Sequence, residues 1–171
     1  HLGDVEQDGV EDFLVVASRA EDYGFSAGTP YQVSADPALP RIPLEHAGGS
    51  SGQMLGWSGD FIGDFNGDGF GDLALGIPKQ DYADTVSNSG SVELYLGNGS
   101  GFSSEPDWHF EGFWASSNTD EHAYGIAPAG DFDGDGVDDF VSIARNDSRP
   151  SSYSSNYLTN PDGCAAGNDY G

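Results

Sequence analysis

Three nine-residue stretches of the chain carry oxygen-bearing side chains at alternate positions. They span residues 4–12, 64–72 and 131–139, called loops 1, 2 and 3 below. In each loop, positions 1, 3, 5 and 9 carry such side chains, position 6 is glycine, and the apolar position 7 can offer only its backbone carbonyl. Ca²⁺ binds six to eight oxygen ligands and suits this pattern. The predicted ligands are Asp4, Glu6, Asp8, Val10 and Asp12 in loop 1, Asp64, Asn66, Asp68, Phe70 and Asp72 in loop 2, and Asp131, Asp133, Asp135, Val137 and Asp139 in loop 3.

The charge of these loops also favours a bound cation. Two carboxylates about 4 Å apart repel each other by roughly 4 kcal/mol at an effective dielectric constant of 20. Loop 3 has four carboxylates among its predicted ligands. We therefore expect either that a cation binds there or that the loop opens. Up to three Ca²⁺ ions are predicted, one for each loop.

The loops differ from the EF-hand, the other common calcium-binding loop. An EF-hand runs for twelve residues between helices and ends in a bidentate glutamate. Position 12 would here be Val15, Leu75 or Ser142, and none of these is such a ligand. Each loop is followed by a short β-branched or aromatic run, which is typical of a strand. A solvated acidic turn is the alternative, but three copies in register argue against it.

The composition favours an all-β protein. The 171 residues include 26 glycines, and short apolar runs lie between glycine-rich turns. There are 29 acidic residues against five basic ones, and the net charge is −24. Nucleic acid and anionic membranes attract basic surfaces, so neither is an expected partner. Of the acidic residues, 13 lie in the three loops.

Several features favour an exported protein. Calcium sites of extracellular modules are filled at calcium levels up to the millimolar range. No apolar run reaches the roughly 20 residues of a membrane-spanning helix. The chain begins at His1 rather than at Met, as a processed chain would. The single cysteine, Cys164, excludes an intrachain disulfide and leaves open a free thiol or an intermolecular bond.

The pattern around the loops predicts three repeated units, with boundaries at residues 1–53, 54–121 and 122–171. The middle unit reads as four short antiparallel strands, which is typical of a β-propeller blade. The first unit lacks the strand before its loop. The third unit ends in a Ser/Tyr-rich tail that has little strand pattern. Strands are predicted at 54–57, leading on towards loop 2, then at 73–78, 91–96 and 107–113, at 123–126 and 140–144, at 13–16, 31–35 and 41–44, and at 157–159.

These motifs resemble FG-GAP repeats, the blades of integrin α-chain propellers and of many bacterial secreted proteins. Leu55-Gly56 and Tyr124-Gly125 stand where the family has Phe-Gly. Gly76-Ile77-Pro78, Ala144-Arg145-Asn146 and Ala17-Ser18-Arg19 stand where it has Gly-Ala-Pro. The resemblance covers most of the chain and implies a calcium-stapled β-propeller, a fold often used in adhesion or recognition.

The number of units sets the functional expectation. Closed propellers contain about four to eight blades, whereas this chain supplies between two and three. It therefore belongs to a longer propeller, or separate copies complete one another, through a donated strand or as a filament. We expect an extracellular, calcium-stabilised structural module with open edges. The alternatives are an adhesin-type fragment that binds a protein or glycan ligand, and an accessory propeller of a larger secreted enzyme.

No catalytic constellation is expected in the chain itself. Residues 48–52 match G-x-S-x-G, but a nucleophile elbow needs a strand before the serine and a helix after it. The histidines at positions 1, 46, 109 and 122 lack metal-ligand spacing. The tryptophans at positions 57, 108 and 114 are predicted to pack between strands, with a sugar-binding groove as the alternative.

Overall fold

Antiparallel β-sheets make up the computed structural model of the chain. It describes residues 4–5, 8–19, 21, 27–36, 38, 42–43, 51–81, 88–103, 105–111, 121–145 and 157–159. Every regular element in these ranges is a strand, which confirms the all-β prediction. The same ranges contain no helix that is long and apolar enough to cross a membrane.

The described strands form three sheets, called sheets 1, 2 and 3 below. Each is an antiparallel meander in which consecutive strands are neighbours. Sheet 2 has the four strands of a propeller blade, in the order β4-β5-β6-β7, as predicted. The strands are β1 (Asp12–Ala17), β2 (Thr29–Ser34) and β3 (Ile42–Pro43) in sheet 1, β4 (Ser58–Gly63), β5 (Asp72–Ile77), β6 (Ser91–Tyr95) and β7 (Trp108–Glu111) in sheet 2, and β8 (Gly125–Gly130), β9 (Asp139–Ile143) and β10 (Tyr157–Thr159) in sheet 3.

The predicted strand at 54–57 is wrong, because these residues form a turn before β4. Met54 and Gly56 have φ angles of 61° and 69°, and the left-handed region is incompatible with an extended strand. Leu55 is nevertheless fully buried, and its N–H donates to the carbonyl of Ala27 at 2.9 Å. The apolar signal at 54–57 therefore reflects packing between sheets.

The same shift occurs before loop 3. Ala123 has a φ angle of 61°, and β8 begins only at Gly125. The predicted strand at 123–126 thus overlaps β8 by two residues. The two strands that precede a loop, β4 and β8, instead continue to the glycine directly before that loop.

The remaining predicted strands are confirmed, with shifts of one or a few residues at their ends. β5 and β9 each begin at the position-9 aspartate of the preceding loop. The strand at 157–159 forms in the Ser/Tyr-rich segment and pairs with β9. Of the predicted strand at 107–113, Trp108–Glu111 is a strand, and residues 112–113 lie outside the described ranges.

Two apolar clusters cover the two faces of sheet 2. Alternate side chains of β5 separate between them, as the pleat of a strand requires. The six buried residues of cluster 1 are Val5, Leu55, Leu73, Leu75, Ile77 and Tyr95, with Leu14, Phe61 and Phe102 against them. Cluster 2 contains the buried residues Ile62, Phe65, Ala74, Val92, Leu94, Ala123 and Phe140, with Trp108, Phe110 and Ile126 against them. Sheet 2 is thus the middle layer, because sheet 1 contributes to cluster 1 and sheet 3 to cluster 2.

Sheet 2 is covered on both faces, and it also contains a buried acidic side chain. Glu93 on β6 is only 7% exposed, and its carboxylate accepts a hydrogen bond from the Tyr95 hydroxyl at 2.7 Å. His109 is its partner across β6 and β7, with Nδ1 lying 3.7 Å from Glu93 Oε1. His109 Nε2 lies 3.9 Å from Glu111 Oε1. The Glu93 carboxylate raises the pKa of His109 above its ordinary value of 6.5, although partial burial opposes this.

A raised histidine pKa predicts a pH-dependent contribution to stability. Because protonated His109 is favoured in the folded state, its stabilising effect is complete below pH 6.5 and is lost as the pH rises through the folded-state pKa. We expect the unfolding free energy of the wild type, minus that of His109→Gln, to fall across this window. Urea titrations at a series of pH values measure this difference. The same comparison is then made in a Glu93→Gln background, with and without His109→Gln. There the free-energy difference should depend less on pH, and an unchanged pH dependence would assign the effect to a group other than Glu93.

Candidate metal centre

The three loops share one hydrogen-bonded frame, built around the aspartate at position 9. This residue is buried in every loop, with an exposure of 0% for Asp12 and Asp72 and of 2% for Asp139. Its Oδ2 accepts the backbone N–H of position 2, which closes the loop onto the strand that follows. The donors are Val5 to Asp12 (2.9 Å), Phe65 to Asp72 (2.8 Å) and Phe132 to Asp139 (2.8 Å).

The aspartate at position 1 organises the opposite side of each loop. In loop 2, Asp64 accepts the N–H groups of Asp68 and Gly69, both at 2.9 Å. Asp4 accepts the corresponding groups in loop 1, while Asp131 accepts those of positions 4 and 6 in loop 3. The position-6 glycines have φ angles of 88°, 92° and 99°, a conformation that other residues rarely adopt. This conformation explains why position 6 is glycine in all three loops.

Position 5 adds a third recurring bond. Its carboxylate Oδ1 accepts the N–H of position 7 in all three loops, at distances from 2.8 to 3.0 Å. Because that N–H is held by the loop itself, the chain curls around its own acidic side chains. These bonds hold the backbone of each loop in its curled conformation.

Loop 3 brings its carboxylates close enough for a shared cation. One ligand oxygen each from Asp131, Asp133 and Asp139 lies within 4.8 Å of the others. Asp131 and Asp133 are exposed, whereas Asp139 is buried. An ion could therefore enter from solvent and be held against the start of β9. All donors are oxygens, which suits a hard cation.

Loop 1 has a buried carboxylate oxygen that a cation could bind. Asp12 Oδ1 is buried and has no hydrogen-bond partner among the described residues. A buried carboxylate oxygen without a partner is costly, and a bound cation would satisfy it. Asp4, Asp8 and Val10 lie around the same loop, while Glu6 falls outside the described ranges.

In loop 2, the buried Asp72 is tied to the neighbouring strands. Its Oδ1 accepts the N–H of Gly97 at 2.9 Å, which links the loop to the end of β6. Burial raises the pKa of Asp72 to about 6; the N–H donors of Gly97 and Phe65 oppose this, and the charge of Asp68 adds to it. A cation beside Asp72 would favour its ionised form.

Loops 2 and 3 are joined directly by Asp138, the residue at position 8 of loop 3. Its Oδ2 accepts the N–H of Asp64 at 2.9 Å, and its own N–H donates to the Asp64 carbonyl at 3.0 Å. The carboxylate lies against Gly63, where any Cβ would clash with it. The sequence did not reveal this link, because position 8 is Glu11 in loop 1 and Gly71 in loop 2 and so shows no recurring pattern.

The other residues singled out in the sequence have varied environments. Trp108 packs in cluster 2 with its ring centroid 5.5 Å from that of Phe65, as predicted for a packing residue. Trp57 is 36% exposed and lies 5.4 Å from the ring of Tyr124. Ser51 and Gly52, the end of the G-x-S-x-G match, form a turn. Outside the described ranges lie His1, His46, Trp114, Cys164 and residues 48–50.

An ion pair lies beside Trp57 and Tyr124. Arg145 Nη2 is 2.7 Å from Glu121 Oε2, and Arg145 Nη1 donates to the Tyr124 hydroxyl at 3.1 Å. The guanidinium carbon also lies 4.5 Å above the Tyr124 ring, as in a cation–π contact. Arg145 is therefore held between an acid and an aromatic ring, next to the start of β8 and the end of β9.

Comparison with known proteins agrees with this architecture. Residues 64–142, from the start of loop 2 to β9, match the family model described as FG-GAP-like repeat. Integrin alpha-E of Mus musculus is 28% identical over 152 residues, covering 85% of this chain. Integrin alpha-8 is 32% identical in both Mus musculus and Homo sapiens, over 77% of this chain. The chain spans only 12% to 13% of the length of these relatives.

The matched region contains loops 2 and 3, strands β5 to β8 and all but the last residue of β9. Its antiparallel sheets are those expected of partial propeller blades, and the described sheets do not close into a ring. Residues 64–142 of this chain are therefore FG-GAP-like repeats, and the chain is similar in sequence to integrin alpha chains.

Proposed function

We propose that this chain is an extracellular, non-enzymatic structural module in which a Ca²⁺ ion at each loop fastens a propeller blade. The observation that carries the proposal is the frame common to loops 1, 2 and 3. In each, a buried aspartate at position 9 both closes the loop and begins the strand that follows it. An ion held there would act on the strand itself.

Calcium is the cation that these loops fit best. Their donors are carboxylate, amide and carbonyl oxygens on a loop with exposed acidic groups, which suits the flexible coordination of Ca²⁺. Mg²⁺ demands a stricter octahedron and usually retains several of its waters. When bound, Ca²⁺ would supply positive charge and ligand bonds that neutralise the clustered carboxylates.

Removal of calcium is expected to lower the melting temperature. A ligand that binds only the folded state at a hundred times its Kd adds about 2.7 kcal/mol per site, which is a shift of several degrees. Thermal unfolding in EDTA, in Ca²⁺ and in Mg²⁺ measures the effect, with Mg²⁺ as the matched divalent control. Identical melting temperatures in EDTA and Ca²⁺ would show that calcium does not fasten the sheets.

A second candidate function is binding of a protein or glycan ligand. The exposed Trp57, packed on Tyr124 beside Arg145, favours it, because clustered aromatic and arginine side chains are enriched at binding surfaces. A glycan array and a pull-down from extracellular matrix test this candidate. Saturable binding that is lost in Trp57→Ala would support it, whereas a purely structural module should show none. A third possibility is an accessory role in a larger secreted enzyme. A catalytic domain encoded in the same reading frame as this chain would support it.

A further inference from the structure

Asp138 of loop 3 holds the first residue of loop 2 at both of its backbone polar groups. Its Oδ2 accepts the Asp64 N–H at 2.9 Å, and its own N–H donates to the Asp64 carbonyl at 3.0 Å. Both residues are half-buried, so water competes less for these bonds than it would at a fully exposed site. The bonds join residues 74 positions apart, and the position of Asp64 therefore depends on loop 3 as well as on loop 2.

The neighbouring residue Val137 makes a second contact between the two loops. Gly67, at position 4 of loop 2, lies so close to it that a Cβ on the glycine would be 3.0 Å from Val137 Cγ1. Two adjacent residues of loop 3 thus contact positions 1 and 4 of loop 2. A movement of residues 137–138 would displace both of these positions.

Both sides of this contact contain predicted cation ligands. Asp64 is the predicted ligand at position 1 of loop 2. In loop 3, Asp138 lies between Val137, predicted to offer its carbonyl, and Asp139, which belongs to the cluster of three aspartates. Cation binding by Val137 and Asp139 would restrain Asp138 between them, and Asp138 would in turn restrain Asp64.

Two effects of opposite sign act between the loops. Filling loop 3 removes part of its negative charge, which by itself weakens the attraction of loop 2 for a second cation. Salt screens this effect between exposed charges beyond about 8 Å at physiological ionic strength. In contrast, a loop whose first ligand is already held in place loses less conformational freedom on binding, so its affinity rises. Because the hydrogen bonds of Asp138 act at contact distance, we expect this positioning effect to prevail.

We propose that Asp138 is a positioning residue that couples the cation sites of loops 2 and 3, so that filling either loop raises the affinity of the other. The inference rests on the proposed function, since it takes both loops to be calcium sites. Coupling between two binding sites is reciprocal, so each loop changes the affinity of the other by the same factor. Couplings of this kind typically correspond to a factor of about 5 to 150.

Loop 1 provides a comparison within the same chain. The residue of loop 2 that corresponds to Asp138 is Gly71, which has no side chain to reach Asp4 of loop 1. A Cβ at Gly71 would also clash with the ring of Phe61. Loop 1 is therefore expected to fill independently of loop 2.

The amide signals of the position-6 glycines can report each loop separately. Gly9, Gly69 and Gly136 donate their N–H groups to the position-1 aspartate of their own loop, at 2.8, 2.9 and 3.2 Å. Proton–nitrogen correlation NMR of the whole chain, in calcium-buffered solutions at physiological ionic strength, follows these signals. The filled fraction of each loop at each free Ca²⁺ concentration then gives the Kd of that loop.

Matched substitutions at position 3 disable one loop at a time. Asp133→Ala in loop 3 should raise the Kd of loop 2 at least about fivefold, and Asn66→Ala in loop 2 should raise that of loop 3 by the same factor. Glu6→Ala, the corresponding change in loop 1, should leave both Kd values unchanged. In an Asp138→Ala background the coupling should disappear. Asp138→Asn should retain it, because the amide oxygen can still accept the Asp64 N–H.

Independent filling of the three loops, or a lower Kd of loop 2 in Asp133→Ala, overturns the coupling and leaves the proposed calcium sites intact. Equal weakening of loops 2 and 3 by Glu6→Ala also overturns it, because the effect would then spread through the whole fold. The comparison of the wild type with Asp133→Ala needs no change at position 138, so it tests the coupling even if Asp138→Ala does not fold. If no glycine signal responds to Ca²⁺, the proposed function itself is wrong.

Discussion

Phe65→Ala is expected to lower the free energy of unfolding by about 3 to 5 kcal/mol, as large aromatic truncations in cores do. Phe65 is fully buried between sheets 2 and 3, with Trp108 and Phe140 against its ring. Its removal leaves a cavity that these rigid neighbours cannot fill, and it also loses two edge-on aromatic contacts. Urea unfolding in the presence of Ca²⁺, followed by circular dichroism, measures the loss.

Phe132→Ala is the matched control, because it changes the same residue type at the same loop position. Phe132 is 67% exposed, so its truncation should alter the unfolding free energy by no more than about 0.5 kcal/mol. Equal losses for the two variants would show that Phe132 is as well packed as Phe65.

Asp72→Asn is expected to destabilise the fold by about 2 to 4 kcal/mol even without calcium, since buried charge-assisted hydrogen bonds contribute about 1.5 to 3 kcal/mol each. Asp72 accepts the N–H groups of Phe65 and Gly97 with its two oxygens. An asparagine has one carbonyl oxygen, so one of these buried donors would face an NH₂ group. The variant should also gain less stability from added Ca²⁺ than the wild type does. Urea unfolding in EDTA and in Ca²⁺ separates the two effects.

Asp81→Asn is the charge-matched control for that variant. Asp81 is exposed, and its carboxylate accepts the N–H of Asn88, which an asparagine oxygen can also accept. We expect a change within about 0.5 kcal/mol in either buffer. If Asp72→Asn behaves like Asp81→Asn, then the buried aspartate neither closes loop 2 nor takes part in calcium binding.

Much of the candidate site could be predicted from the sequence because it is local. The ligand spacing, the position-6 glycine and the strand after each loop all lie within about a dozen residues. The hydrogen bonds that stay within one loop join residues no more than seven positions apart, such as Phe65 to Asp72. A short-range pattern of this kind can be recognised from the order of the residues alone.

The first residues of β4 and β8, the strands before loops 2 and 3, could not be predicted from local spacing. Residues 54–57 have an apolar pattern, yet Met54 and Gly56 adopt positive φ angles. Leu55 is apolar because it packs against sheet 1, where Ala27 accepts its N–H. Hydrophobicity reports burial, and it does not tell whether the buried segment is extended or turned.

The three loops and their all-β setting could be predicted because they follow from residue types at short, repeated spacings, and the resemblance to FG-GAP repeats rests on the same residues. The differences in burial and contacts between equivalent residues of the loops came from the tertiary structure. Phe65 and Phe132 occupy the same loop position, but Phe65 is fully buried and Phe132 is 67% exposed. Asp138 joins loop 3 to Asp64 across 74 positions of the chain. Such contacts depend on how whole sheets stack, and no local spacing in the chain encodes that distance.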